Sequence, residues 1–418
     1  MLIKNAHVID PIENINEPLD VLINGDKIIQ LSKPGVIIPC ENEEIIDAKG
    51  CYLSPGFIDI HSHFRDPGNG SEDIISGAKA AARGGYTTVI LMANTTPTID
   101  SPKMLEYVYD KAKNACIEIY QLAAITKGLL GKELLNFKEL LDAGAVGFSD
   151  DGKNLEDEDL AFLAMQEAYK TDSVLSFHEE ASKYVHTAGV NSGTVAKQLG
   201  FLGADRLAEE TMIKRDIELS LETGAKVHFQ HVSSKGSVEL IKLGKQKGAH
   251  ITAEATPHHF SLNERAVLKY GTNAKMNPPL RNEDDRQAII EGLKSGIIDI
   301  IATDHAPHKS VDKAKPFENA PSGIIGLETA FSLCIENLYQ KANMPLYDII
   351  AALTKKPAEL YGLNKGIKPG LNADIVIYDI NSSTTYNGFV SSSSNSPFLG
   401  QTLKGKIIYT IHNGVIVK

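Results

Sequence analysis

Asp59-Ile60-His61-Ser62-His63-Phe64-Arg65-Asp66-Pro67-Gly68 holds the residue types in this chain best spaced to do chemistry. Side chains alternate faces along a strand, so a strand over Phe57–His63 puts Asp59, His61 and His63 on one face and Ile58 and Ile60 on the other. Two imidazoles one residue apart on one face can ligate a single metal ion. Arg65, just past the strand end, can meet an anionic substrate. Ordinary hydrogen bonds would account for one buried histidine, but an Asp and two His turned inward together are costly to bury without a partner.

Residues of the same kind recur at the ends of later apolar runs: Ser149-Asp150-Asp151-Gly152, His178-Glu179-Glu180, His231-Val232-Ser233 and Ala302-Thr303-Asp304-His305-Ala306-Pro307-His308. The set is four histidines and two aspartates, counting one of Asp150 and Asp151, which point apart as neighbours do. That is too many ligands for one tetrahedral zinc, and it fits two ions bridged by a carboxylate. Such a pair, about 3.5–4 Å apart, activates a water and polarises a carbonyl, which is the chemistry of amide or ester hydrolysis. Imidazole-rich ligation favours zinc, with cobalt, manganese and iron as alternatives.

These residues need a scaffold that brings separate strand ends together. Candidate strands are Phe57–His63, Thr88–Met92, Ile117–Ala123, Ala145–Ser149, Val174–His178, Lys226–His231, His250–Ala255 and Ile297–Ala302. Helical stretches fall between them, such as Glu72–Arg83, Asp157–Tyr169, Ala208–Glu222 and Glu283–Leu293, with acidic starts and C-terminal glycines. Eight such units predict an α/β fold, a (β/α)8 TIM barrel with its site at the C-terminal ends of the strands; a doubly wound open sheet is the competitor. Both chain ends are β-rich. Asn24-Gly25 and Asn413-Gly414 each read as a hairpin turn with two positive-φ positions. The ends are therefore expected to pair into a small β-sandwich-like domain, residues 1–55 with 366–418, leaving 56–365 for the barrel. The serine-rich run 391–397 reads as a solvated loop, and residues 306–323 read as a candidate lid.

A net charge of -11 argues against a nucleic-acid partner, and no apolar run approaches the ~20 residues of a membrane span. Residues 1–8 lack a basic stretch followed by a long apolar one, so no secretory signal is expected and the location expected is cytoplasmic. Cys40, Cys51, Cys116 and Cys334 show no CxxC spacing, so metal ligands must come from His and carboxylate. His258, His259 and His305 read as supporting or structural, Glu179 and Glu180 as solvated, and Met92 as packing.

The motifs FRDPG (64–68), MANT (92–95), FSDDG (148–152), NPPLR (277–281) and TDHAPH (303–308), in one chain, resemble the bacterial dihydroorotases of the amidohydrolase superfamily, of the longer type with a β domain from both chain ends. The resemblance runs essentially from end to end. It implies reversible cyclisation of N-carbamoyl-L-aspartate to L-dihydroorotate in pyrimidine synthesis. It also implies one or two zinc ions, two being the better fit: His61, His63 and Asp304 on one, His178 and His231 on the other, Asp151 between them. Asp304 would be the general acid and base. His63, Arg65, Asn94 and His308 would meet the substrate and its carboxylate, with Asn277 and the Ser322-Gly323 backbone against the ring. Two positions depart from the common pattern: an Asp stands where many relatives carry a carboxylated Lys, and Ser322 stands where an aromatic is usual. A homodimer and a complex with a transcarbamoylase are the partners the family suggests. A hydantoinase or allantoinase is the nearest alternative activity, and a scaffold that has lost catalysis is the alternative from another class. Arg65 speaks against the first, and the complete ligand set against the second.

Overall fold

In the computed structural model, residues 1–68 and 70–418 are described. The first stretch forms strands β1 (Leu2–Asp10), β2 (Ile15–Asn24), β3 (Lys27–Ser32), β4 (Ile45–Asp47) and β5 (Tyr52–Pro55). Next come β6 (Phe57–Ser62), β7 (Tyr86–Leu91), β8 (Glu118–Gln121), β9 (Val174–Phe177), β10 (Lys226–Phe229), β11 (Ile251–Ala255) and β12 (Ile300–Ile301). The last stretch supplies β13 (Ile375–Thr385), β14 (Thr402–His412) and β15 (Val415–Ile416).

The strands from the two ends join in one eight-stranded sheet, β15-β14-β13-β5-β1-β2-β3 with β4 beside β1. Period-two alternation divides its side chains between two cores. Along β13, Ile375 and Ile377 pack with Ile3, Val8 and Val21, while Val376, Tyr378 and Ile380 pack with Phe57, Tyr86 and Phe331 of the main core. One face of the terminal sheet is thus fastened to the barrel layer. The Asn413-Gly414 turn has both residues at positive φ, as expected. The first hairpin differs: Asn24 pairs with Lys27, so Gly25-Asp26 make the turn and only Gly25 has positive φ, after a register shift between Leu22 and Ile23.

Parallel pairing runs through β6-β7-β8 and through β9-β10-β11-β12. Phe148 bridges Ala123 on one side and Leu175 on the other, and Ser62 bridges His305. These bridges close the ring, which rules out the open sheet. The expected strand Ala145–Ser149 is reduced to those bridges, because the chain turns at once into Asp150-Asp151-Gly152, yet Val146 N and Phe148 N still donate to Gln121 O and Val174 O. Every residue of β6 and β7 is buried, as in a sheet covered on both faces.

The expected helices form with residue-level caps. Asp73, Asp157 and Asn282 accept from backbone N–H groups at the starts of Ile74–Arg83, Glu158–Lys170 and Glu283–Lys294, and Gly224 ends Leu207–Thr223 in the left-handed conformation. Among the described residues, no helix is long and apolar enough to cross a membrane. The serine-rich run is not a solvated loop. Ser391, Ser393, Asn395 and Ser396 are buried, because the β13–β14 connection crosses onto the mouth of the barrel and docks there. Ser392 N donates to Glu72 Oε1 at 3.1 Å, Ser391 Oγ donates to Glu72, and Ser393 Oγ donates to Ser71 O at 2.8 Å.

Candidate active site

The strand ends converge as a barrel requires. His61 lies within β6 and His63 just after it; His178 follows β9, His231 follows β10, Asp304 follows β12, and Asp151 follows the Phe148 bridges. All six are buried. Asp151 is their common point: its Oδ1 lies 3.4 Å from His61 Nε2 and 3.8 Å from both His178 Nδ1 and His231 Nε2, and its Oδ2 lies 3.5 Å from His63 Nε2. Asp304 Oδ1 lies 3.1 Å from His63 Nε2 and 3.6 Å from His61 Nε2. His178 Nδ1 and His231 Nε2 are 2.9 Å apart.

Asp150, the rival of Asp151, faces the other way. Its carboxylate accepts from Ile125 N at 2.7 Å, from Thr126 N at 3.1 Å and from Thr126 Oγ1, which pins the neighbouring loop. Asp59 also parts from the histidines, because the β6–β7 register shifts between Asp59 and Ser62. It accepts from Thr303 N at 2.8 Å, from Thr303 Oγ1 at 2.6 Å and from Ser62 Oγ, tying β6 to the Asp304 turn. Burial raises its carboxyl to about 6 against those hydrogen bonds.

Arg65, His231 and Asp304 have left-handed backbones, with φ of 54°, 31° and 48°. Each such non-glycine residue costs on the order of 1–3 kcal/mol, a strain that collects where side chains must be aimed. Burial is the largest influence on every ionisable group here. It lowers His63 and His178, helped by Arg65 and His231 respectively, and so keeps both imidazoles in the neutral form that binds metal. Burial alone would raise Asp151 and Asp304, but the surrounding imidazoles hold both below the usual carboxylate range. His61 is pushed down by burial and pulled well above its ordinary value by Glu254 and Asp151.

Glu254 is the residue that pattern reading passed over. Its Oε1 lies 2.5 Å from His61 Nδ1 and accepts from His231 N at 3.1 Å, and its Oε2 lies 3.0 Å from His228 Nε2. One carboxylate thus bonds two of the cluster's histidines, the His61 ring and the His231 backbone, and also partners His228. The available signal was an acidic residue inside an otherwise strand-like run, Ile251–Ala255; the structure buries it fully. Glu179, expected in solvent, is buried near Asp216 and Arg215, which pair at 2.8 Å. His259 bonds Thr256 Oγ1 and Pro278 O, a structural role as expected.

Beside the cluster, His63, Arg65, Asn94, Asp151, Asn277, Asp304, Ser322 and Gly323 border a cleft of about 210 Å³. Asn94 Oδ1 lies 2.9 Å from His63 Nδ1 and its Nδ2 donates to Asp151 Oδ2 at 2.9 Å; Asn277 Nδ2 lies 3.4 Å from His178 Nε2. Gly323 has φ 119°, and a Cβ there would stand 2.6 Å from Ala306 Cβ and 3.2 Å from His308 Nε2. His308 lies behind Ser322, bonded to its carbonyl at 2.7 Å; burial, with Arg65 nearby, pushes its imidazole down to about 3. Arg65 is half-buried, and among the described residues its Nε has no hydrogen-bond partner.

The donor set fits metal. His61, Asp151 and His231 form one group, and His61, His63 and Asp304 another, whose ligand atoms lie within 4.8 Å of one another. Among the described residues, the buried His61 Nε2 has no hydrogen-bond partner. Imidazole nitrogens and ionised carboxylates converging at these distances are the donor set of a cation site.

Residues 52–417 match the Amidohydrolase family. The chain is 52% identical to the dihydroorotase of Clostridium acetobutylicum and 46% identical to that of Lactococcus lactis, covering all of this chain and 99% of each relative. Among solved structures it resembles L-hydantoinase (dihydropyrimidinase) from Arthrobacter aurescens, with a TM-score of 0.87 at 25% identity over 99% of this chain and 95% of that one. Dihydropyrimidinase from Brevibacillus agri shares the fold, with a TM-score of 0.84 at 22% identity over 99% and 94%. A closed barrel with a terminal β sheet, and half of all residues shared along the full length of bacterial relatives, place this chain in the amidohydrolase family, among its dihydroorotases.

Proposed function

We propose that this chain interconverts N-carbamoyl-L-aspartate and L-dihydroorotate, using two zinc ions held by His61, His63, Asp151, His178, His231 and Asp304. The observation that carries the reading is the buried Asp151 carboxylate within 3.8 Å of nitrogens of four histidines, beside a cleft that Arg65 and Asn94 border. When bound, the ions supply an activated water and a polarised carbonyl. In hydrolysis Asp304 takes the proton of the attacking water and gives it to the departing ring nitrogen; ring closure runs the same transfers backwards. Its depressed pKa keeps it ionised. Asp304 also bonds His63, so one turn of chain sets both a ligand and the proton carrier.

Substrate binding falls to the opposite wall. Arg65 carries a permanent charge and a planar fork suited to a carboxylate, Asn94 borders the same cleft, and His308 backs it from behind Ser322. Asn277 and the Ser322-Gly323 backbone hold the ring. We propose the domain division expected from the sequence, residues 1–55 with 366–418 as the small β domain and 56–365 as the barrel. We place the enzyme in the cytoplasm, with a second copy of the chain or a transcarbamoylase as its macromolecular partner.

An absorbance assay of dihydroorotate hydrolysis, run beside hydantoin and allantoin with and without zinc, tests the reading. Zinc-dependent turnover of dihydroorotate far above the other two is expected, and preference for hydantoin would overturn it. Elemental analysis is expected to give between about one and two zinc equivalents per chain.

A further inference from the structure

The 306–323 segment, which carries His308 at one end and Ser322-Gly323 at the other, is fastened from outside the barrel. Asn395, on the β13–β14 connection of the terminal sheet, is 4% exposed. Its Nδ2 donates to Ala306 O at 3.0 Å and to Gly323 O at 3.1 Å, and its Oδ1 accepts from His308 N at 3.0 Å. A single carboxamide thereby ties together both ends of the segment. Its own carbonyl accepts from Ile325 N at 3.1 Å, so the tie is anchored just beyond the segment.

Two buried lysines hold the middle. Lys313 Nζ donates to Pro321 O at 2.9 Å and to Gly323 O at 3.0 Å, and Lys275 Nζ donates to Phe317 O at 2.5 Å and to Ala320 O at 2.8 Å. Burying ammonium groups against carbonyls, with only the Phe317 ring added under Lys275, is expensive, and it gives the segment one defined path in return.

We propose that Asn395 is a positioning residue for the reaction: it fixes the His308 amide and the Gly323 carbonyl, and so sets the substrate-binding edge of the cleft from the terminal sheet. The proposal rests on the reading of His308 and Gly323 as substrate-binding groups. Only a side chain that donates and accepts at once can do this. Asn395→Asp keeps the volume, loses both donors, and turns a negative oxygen toward two carbonyls.

Steady-state kinetics of Asn395→Asp and of its combination with His308→Ala test the idea. Because the edge binds substrate and transition state alike, KM is expected to rise about tenfold or more while kcat moves less than about threefold. In the His308→Ala background the same change is expected to add less than it does alone, since only the Gly323 arm of the tie then bears on substrate. Unchanged KM in a folded Asn395→Asp, a loss confined to kcat, or effects that multiply in the double variant would each overturn the proposal. If His308→Ala itself leaves KM unchanged, the substrate reading of His308 fails. Hydrogen exchange at the residue 308 amide then decides whether Asn395 holds the segment: faster exchange in Asn395→Asp upholds the tie, and equal exchange removes it. If Asn395→Asp does not fold, Asn395→Ser, which keeps a donor and leaves room for water, is read by the same measurements, with a smaller KM rise expected.

Discussion

Two polar regions meet at the mouth of the barrel and solve burial in opposite ways. In the histidine cluster, ionisable groups face one another, Asp151 serves four imidazoles, and among the described residues His61 Nε2 has no hydrogen-bond partner. In the seam between the 391–396 run and the 306–323 segment, donors and acceptors match, with the neutral Asn395 bonding three backbone groups. Polarity that closes on itself is architecture; polarity that converges without closing is a binding site.

Removing metal is the hardest blow to the first region. Dialysis against a chelator is expected to lower dihydroorotate turnover by about 10³-fold or more, with zinc restoring it, while the seam leaves the fold intact by circular dichroism. Asp304→Asn comes next, with kcat down about 10²- to 10⁴-fold and KM little changed in the same assay. Glu254→Gln takes a charge from behind His61, and zinc affinity measured by competition with a chelator is expected to drop about 10- to 100-fold. Equal affinity would mean that His61 needs no orienting carboxylate. Arg65→Lys keeps the charge and loses the fork, so KM should rise about tenfold.

The smallest effect belongs to the seam and appears in stability. Burial alone would raise the Glu72 carboxyl, but His305 and the Ser391 and Ser76 hydroxyls hold it at about 2. An unfolded Glu titrates at about 4.3, so between these values the unfolded chain binds the extra proton and stability drops as pH falls through that window. Urea unfolding across the window should show a shallower loss in Glu72→Gln. An unchanged slope would detach Glu72 from the seam's hold on the 391–396 run.

What could be read in advance follows the same division. His61, His63, His178, His231 and Asp304 announce themselves because imidazoles and carboxylates at strand ends have few cheap explanations. Glu254 was missed because its partners lie on other strands, 193 residues away for His61. The 391–396 run was misread because serine and asparagine suit a solvated loop and a fully bonded interior equally well. Asp59 was placed with the histidines by strand parity, which a register shift breaks.

The sequence by itself determined the chemistry available: the ligand types, the arginine, the alternation of strand and helix, and the turn at Asn413-Gly414. These are local properties, set by side-chain pKa, charge and backbone preference. Only the tertiary structure decided that the sheet closes, that Asp151 rather than Asp150 faces the histidines, and that Asn395 from the far end of the chain ties both ends of the 306–323 segment. Each of those depends on contacts between residues remote in sequence, whose free energy appears only once the chain has folded.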